Sequence, residues 1–189
     1  MNQVTVKNIK EISIALMMTL LLTVIICYVR PELLLPVAML PFITTVYRYG
    51  FSALYGVSIL YGVIAGILTS IILKQDMTIN IFMFVAASLI LCACGFFTKN
   101  IHRTVNNRRM KSVWLNIVTA TVCSSLAFVG LYYVSMSMNY ALISIQSIIY
   151  LEVYMLLSVL FSAYQYPILI LTKRSPFLSS KERSKLLND

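Results

Sequence analysis

Apolar residues occur in six long runs along this chain, and polar and charged residues are concentrated between the runs. The runs cover residues 9–29, 33–48, 50–72, 79–97, 113–136 and 142–172. Most are close to the roughly 20 residues that a helix needs to cross a bilayer. They are continuously apolar, without the alternation over about ten residues that is typical of membrane β-barrel strands. The pattern therefore predicts an all-α integral membrane protein with six transmembrane helices.

The six predicted helices form a single transmembrane domain over residues 1–175, and a polar tail follows over residues 176–189. The first run is about twenty residues long, lacks a small-x-small cleavage site and precedes five further runs. These features are not typical of a signal peptide, so we expect the first run to remain in the protein as a helix.

Basic residues are distributed unevenly between the two sides of the predicted bundle. If the connections alternate sides, only Arg30 and Lys74 of the 15 lysines and arginines lie opposite the termini. Such an excess marks the cytoplasmic side, so we expect a multi-pass protein of the cell membrane with both termini in the cytoplasm. This topology and attraction to anionic lipid account for the net charge of +9 without a nucleic-acid partner.

Composition agrees with the hydropathy pattern and excludes familiar catalytic classes. Hydrophobic residues make up 60% of the chain and charged residues 11%, against roughly 25% charged in an average soluble domain. The chain has no Walker A loop, no H-E-x-x-H and no Gly-x-Ser-x-Gly motif. The four cysteines fall within or at the end of apolar runs, where we expect them to pack rather than bind metal. We therefore expect a protein that is not an enzyme and holds no cofactor or metal.

Small residues form stripes on two of the predicted helices. In the third helix they recur at every fourth position, and a shorter stripe occurs in the first helix: Ser58, Gly62, Gly66 and Ser70, then Ala15 and Thr19. Such stripes allow helix backbones to approach closely in lipid. They serve either to pack this protein's own bundle or to dock a separate membrane subunit.

Polar and aromatic side chains collect near the predicted outer end of the bundle. They are Arg30, Asn139, Tyr140, Gln146, Tyr150, Glu152 and Tyr154. Glu152 precedes the cytoplasmic Lys173 by about 21 residues, or about 31 Å of helix, which is roughly one hydrocarbon thickness. Its carboxylate is therefore expected near the outer surface, where a charge costs less than at the bilayer centre.

Two interpretations of this outer group stay open. The first is an aromatic interfacial belt with one interfacial carboxylate. The second is a small-molecule site in which the tyrosines stack on a solute and Gln146 and Asn139 form hydrogen bonds with it. In that site Arg30 or Glu152 would determine whether the bound solute is negatively or positively charged.

Two segments resemble a known transporter family. "VKNIKEISIALMMTLLL" resembles the first helix, and "PVAMLPFITTVYRYGFSALYGVSILYGVIAGIL" the second and third helices, of S components of energy-coupling-factor (ECF) vitamin transporters. The resemblance implies an S-component-like bundle that captures a vitamin or related small molecule outside the cell. It also implies a membrane scaffold subunit and two ATPase subunits as partners, which would hydrolyse the ATP. In that family the small-residue face of helix 1 docks the scaffold, and here it would be Ala15 and Thr19.

A second resemblance is to the MreD family, membrane scaffolds of the bacterial cell-elongation machinery. It rests on "RPELLLPVAM", "ALYGVSILYGVIAGIL" and "LSVLFSAYQYPILILTKR". It implies that the groove of Ser58, Gly62 and Gly66 binds another scaffold protein and that Glu152 is structural. The tyrosine and glutamine side chains of the sixth predicted helix favour the transporter subunit over the scaffold. A transporter subunit is therefore the function that we expect.

Overall fold

The computed structural model describes residues 3–31, 34, 40–97, 104, 110–138, 145–146, 148–149 and 153. All regular structure in these ranges is helical. The helices are α1 (Gln3–Val29), α2 (Leu40–Tyr49), α3 (Phe51–Leu73), α4 (Met77–Ala93) and α5 (Met110–Ser137), and a 3-10 turn (Cys94–Phe97) continues α4. Within these ranges, four helices are long and apolar enough to cross a membrane. The chain is thus an all-α membrane protein.

The four long helices confirm four of the predicted spans to within a few residues. They are α1, α3, α4 together with its 3-10 turn, and α5. The ten-residue helix α2 coincides with the second half of the predicted span 33–48. Most of the predicted span 142–172 and the whole of the tail lie outside the described residues. The total of six spans and the cytoplasmic position of the termini therefore stay predictions.

Helices α3 and α4 form an antiparallel hairpin with a three-residue turn. Lys74 takes the left-handed conformation that ends many helices (φ 53°), and its N–H bonds to the carbonyl of Ser70. The N–H of Gln75 reaches the same carbonyl at 3.3 Å. The Asp76 carboxylate then caps α4 by accepting from the N–H groups of Thr78 (2.8 Å) and Ile79 (3.4 Å). Local hydrogen bonds thus satisfy the backbone on both sides of the reversal.

The two helices of the hairpin are in backbone contact along the small-residue stripe of α3. A Cβ atom on Gly62 would lie 2.5 Å from the Cα of Val85, and one on Gly66 would lie 2.5 Å from the Cα of Ile81. One helical turn before Gly62, the hydroxyl of Ser88 donates to the carbonyl of Ser58 at 2.9 Å. The stripe therefore sets both the separation and the register of α3 and α4.

The remaining helices pack around this hairpin. Helices α1 and α2 contact α3, whereas α5 contacts α4 and the 3-10 turn. The phenol of Tyr49, at the end of α2, donates to the carboxylate of Glu11 in the first part of α1. This bond joins α1 and α2 at the ends opposite to Arg30. It also gives a hydrogen-bond partner to the acidic group in the first membrane span.

Gly50 alone connects α2 to α3. Its backbone angles are φ 84° and ψ 174°, a combination that is open essentially to glycine alone. Because α3 begins at the next residue, this conformation sets the angle between the two helices. A side chain at this position would strain the connection.

We expect Gly62→Ile to destabilise the bundle by about 1–3 kcal/mol or more, because the new side chain meets the backbone of Val85. The matched control is Gly56→Ile on the same helix, since a Cβ on Gly56 has nothing within 4 Å. Thermal unfolding in detergent measures the difference. Equal melting temperatures for the two variants would contradict the close approach of α3 and α4.

We expect Gly50→Ala to destabilise the protein by about 1–3 kcal/mol through backbone strain alone. The same measurement on Gly130→Ala is the control, because Gly130 has a negative φ and open space around it. Unchanged stability of Gly50→Ala would show that α2 and α3 are connected in another conformation.

Candidate functional site

Three helices meet at a buried hydroxyl pair. The hydroxyls of Thr23 in α1 and Tyr61 in α3 lie 3.0 Å apart, and both residues are fully buried. Thr23 also donates to the carbonyl of Thr19 at 2.8 Å, so its single proton is used and Tyr61 is the donor of the pair. The ring of Phe42 in α2 stacks on the Tyr61 ring with centroids 5.9 Å apart. This pair aligns α1 with α3.

Contacts between helices show which residues lie at the same level along the long axis of the bundle. Thr23 is level with Tyr61. Twelve residues earlier in each segment, Glu11 bonds to Tyr49 just before α3, so α1 and α3 run in the same direction. Five residues further along each helix, Tyr28 is therefore level with Gly66. Because Gly66 contacts Ile81 of α4, the first turn of α4 lies at the depth of the end of α1. The distribution of basic residues predicts that this is the outer end of the bundle.

Buried hydroxyls near this end are satisfied within their own helices. Thr69 donates to the carbonyl of Ala65 at 2.8 Å, and Ser135 donates to the carbonyl of Tyr132 at 2.7 Å. Serine and threonine can form such bonds without any partner outside the helix. These groups therefore need no hydrogen-bond partner from a neighbouring helix or a solute.

Asn80 differs from these hydroxyls. Its side chain is fully buried in the first turn of α4, and neither Oδ1 nor Nδ2 has a hydrogen-bond partner among the described residues. The amide can donate two hydrogen bonds and accept two. Leaving such a group without partners in an apolar environment costs several kcal/mol. Asn80 is thus the polar side chain in the described part of the chain that most clearly requires an additional partner.

Asn80 was not among the residues singled out by the sequence analysis. The outer group was selected from the loops and from the sixth predicted helix, and α4 appeared uniformly apolar. The only local signal is an amide four residues after Asp76, within an otherwise apolar helix. Its burial depends on how α4 packs against its neighbours, which the sequence pattern alone does not show.

The structure describes two of the seven residues predicted to bind a solute. Arg30 follows the end of α1, and Gln146 is helical. Both side chains are exposed, so neither lines an enclosed pocket in the structure. The other five lie outside the described residues: Asn139, Tyr140, Tyr150, Glu152 and Tyr154.

The residues predicted to dock a partner differ in accessibility. Ser58, Gly62 and Gly66 are buried beneath α4, so the α3 stripe packs this chain against itself. Its face is not available to another protein in this structure. In α1, Thr19 is fully buried and donates to the carbonyl of Ala15 at 2.6 Å. Ala15 itself is partly exposed, and its docking role stays a prediction.

A cavity of about 400 Å³ lies between the last part of α4, with its 3-10 turn, and the middle of α5. Its lining is almost entirely apolar: Leu89, Ile90, Ala93, Cys94, Phe96, Phe97, Ala120, Cys123, Ser124 and Ala127. Phe96, Cys123 and Ala127 are exposed at its rim, so the cavity is an open cleft. We call it the α4–α5 cleft. Sequence analysis did not identify it, although small residues recur on α5 at Ala120, Cys123 and Ala127.

The four cysteines are free thiols in the structure. Cys94 directs its sulfur towards the carbonyl of Ala120 at 3.8 Å, and Cys92 directs its sulfur towards the carbonyl of Phe51 at 3.7 Å. Within the described residues, no group of three or more His, Cys, Asp or Glu side chains is placed to hold a metal ion. Cys27, Cys92 and Cys94 are buried and pack within the bundle, whereas Cys123 is exposed.

Comparison with known proteins assigns no family to this chain. No protein family, curated protein or solved structure matches it.

Proposed function

We propose that this protein is the substrate-capturing membrane subunit of an ECF-type importer, and that it binds a vitamin or related small molecule at the outer end of its bundle. The observation that carries the proposal is the buried side-chain amide of Asn80, which has no hydrogen-bond partner in the part of the chain that the structure describes. A bound polar solute would supply that partner. Several sequence features support the same function, chiefly the family resemblance and the polar outer group.

The position of Asn80 suits capture from outside. It lies at the depth of the end of α1, where Arg30 is exposed. In the proposed orientation the protein spans the cell membrane, both termini are cytoplasmic and these residues face the outer side. Water is scarce within the hydrocarbon region, so an amide buried there gains more from a ligand than an exposed one does. The predicted site residues outside the described ranges, including Glu152, would complete the contacts with the solute.

Partner subunits would supply the energy for transport. The proposed complex contains a membrane scaffold subunit and two ATPase subunits, with Ala15 at the docking face of α1. The alternative function is an MreD-like scaffold of the cell-elongation machinery. The stripe proposed for that role is covered by α4, and for this reason we favour the transporter subunit.

The first experiment is affinity purification of the tagged full-length protein from its native host in mild detergent, followed by mass spectrometry. We expect a second membrane subunit and two ABC-type ATPases to be recovered. A parallel purification of Ala15→Leu should lose these partners, because a larger side chain separates the docking faces. Recovery of cell-elongation proteins without an ATPase pair would instead support the scaffold function.

We expect Asn80→Leu to abolish solute binding and to leave the fold as stable as before or more stable. Leucine has a similar volume and removes a buried polar group whose unmet hydrogen bonds cost about 1–3 kcal/mol. A rise of the melting temperature by about 2–4 °C for each kcal/mol is therefore expected. The measurement is thermal unfolding of the purified protein with and without each of a panel of water-soluble vitamins.

The matched control is Asn116→Leu in α5. The Asn116 amide already donates to the carbonyl of Ser112 at 2.8 Å, so its removal should not raise stability or alter vitamin binding. Marked destabilisation by Asn80→Leu without a change in vitamin binding would make Asn80 a structural residue and remove the main support for a solute site.

A further inference from the structure

Helices α4 and α5 pack against each other in opposite directions. The sulfur of Cys94 lies 3.8 Å from the carbonyl oxygen of Ala120. From this contact the α4–α5 cleft continues towards earlier residues of α4, as far as Leu89. On the other wall it continues towards later residues of α5, as far as Ala127. Later residues of α5 therefore lie beside earlier residues of α4.

This antiparallel packing brings Ser135 of α5 to the depth of Asn80. Fifteen residues from the sulfur–carbonyl contact along each helix, Ser135 is level with Ile79, which directly precedes Asn80. Ser135 is fully buried, whereas its neighbours Val134 and Met136 are exposed. The Ser135 side chain thus faces the interior of the bundle.

Helix α3 adds a third polar residue at nearly the same depth. Gly66 meets Ile81 in the antiparallel hairpin of α3 and α4. Three residues after Gly66, Thr69 therefore lies within about 3 Å of the depth of Asn80. Thr69, Asn80 and Ser135 are each fully buried. We call these three residues the buried polar level.

The buried polar level offers more hydrogen-bond acceptors than donors. The Thr69 hydroxyl proton is used by the carbonyl of Ala65, and the Ser135 hydroxyl proton by the carbonyl of Tyr132. Each hydroxyl oxygen still has lone pairs that can accept a hydrogen bond. The Asn80 amide adds one accepting oxygen and one donating NH₂ group. Three oxygens of this level can thus accept hydrogen bonds from a ligand, whereas one group can donate to it.

Charge is absent from the described surroundings of this level. Among the side chains that the structure describes, no charged one is buried. Arg30, Lys74 and Asp76, which lie near this end of the bundle, are exposed. A bound carboxylate or phosphate would face acceptor oxygens with no described cation buried beside it, and a bound cation would lack a carboxylate. Burying an ion without a counter-ion costs far more than burying a neutral polar group, so these surroundings favour an uncharged ligand.

We infer that the buried polar level binds an uncharged solute rich in N–H or O–H donors. Thr69 and Ser135 accept hydrogen bonds from this solute, and Asn80 both accepts and donates. The inference rests on the proposed capture of a small molecule, and it narrows that molecule to neutral amides and polyhydroxy compounds. Because the three side chains are shielded from solvent, binding requires the ends of these helices to separate.

The experiment compares vitamins in matched pairs that differ in charge: nicotinamide with nicotinate, and riboflavin with riboflavin 5′-phosphate. Thermal unfolding of the purified full-length protein over a range of ligand concentrations gives the affinity for each compound. We expect the neutral member of at least one pair to stabilise the protein. It should bind at least about tenfold more tightly than its anionic counterpart, because the anion would be buried without a cation.

The accepting oxygens are tested with Thr69→Val and Ser135→Ala. Each substitution removes one acceptor and should weaken binding of the neutral ligand by about 2- to 12-fold. The matched controls are Thr119→Val and Ser137→Ala in α5. Both of these hydroxyls also donate to a carbonyl of their own helix, but both residues are exposed. The controls should therefore leave the affinity unchanged.

The outcomes separate this inference from the proposed function. Equal or tighter binding of the anionic member of a pair would overturn the inference and leave solute capture intact. Unchanged affinity in both Thr69→Val and Ser135→Ala would also overturn it, because the accepting hydroxyls would then not contact the solute. Stabilisation by no member of either pair would count against solute capture itself, and the inference would fall with it.

Discussion

The direct backbone contact between α3 and α4 is the constraint on which the other features of this bundle depend. Between helices in lipid there is little hydrophobic driving force, so association relies on dispersion contacts and hydrogen bonds at short range. Gly62 and Gly66 allow the two backbones to come this close because they place no side chain between the helices. The Ser88 hydroxyl adds a hydrogen bond between the two helices at the same interface.

The fixed register between α3 and α4 determines where both ends of α4 lie in the bundle. It sets the first turn of α4 at the depth where α1 ends, and within that turn the side chain of Asn80 is buried. It also positions the last turn beside Phe51 and the middle of α5, where the apolar cleft forms. The close contact in the hairpin thus fixes the positions of both ends of α4 relative to α3.

The two ends offer different chemistry for a physical reason. At the predicted outer end, the buried amide of Asn80 lacks a partner among the described residues, whereas the hydroxyls of Thr69 and Ser135 are satisfied by their own helices. At the other end of α4 the cleft presents hydrocarbon surface. A polar group suits the first environment and an apolar group the second, because hydrogen bonds are missing in one and apolar surface is exposed in the other.

Hydropathy along the chain was sufficient to predict the all-α membrane class, four of the spans and the small-residue stripe on α3, because these depend on local composition and helical spacing. It left open whether that stripe packs against the chain itself or against another protein. Tertiary structure answered this by covering Gly62 and Gly66 with α4. The burial of Asn80 and the α4–α5 cleft were likewise invisible in the sequence. Both arise from how separate helices meet, and no single helix contains that information.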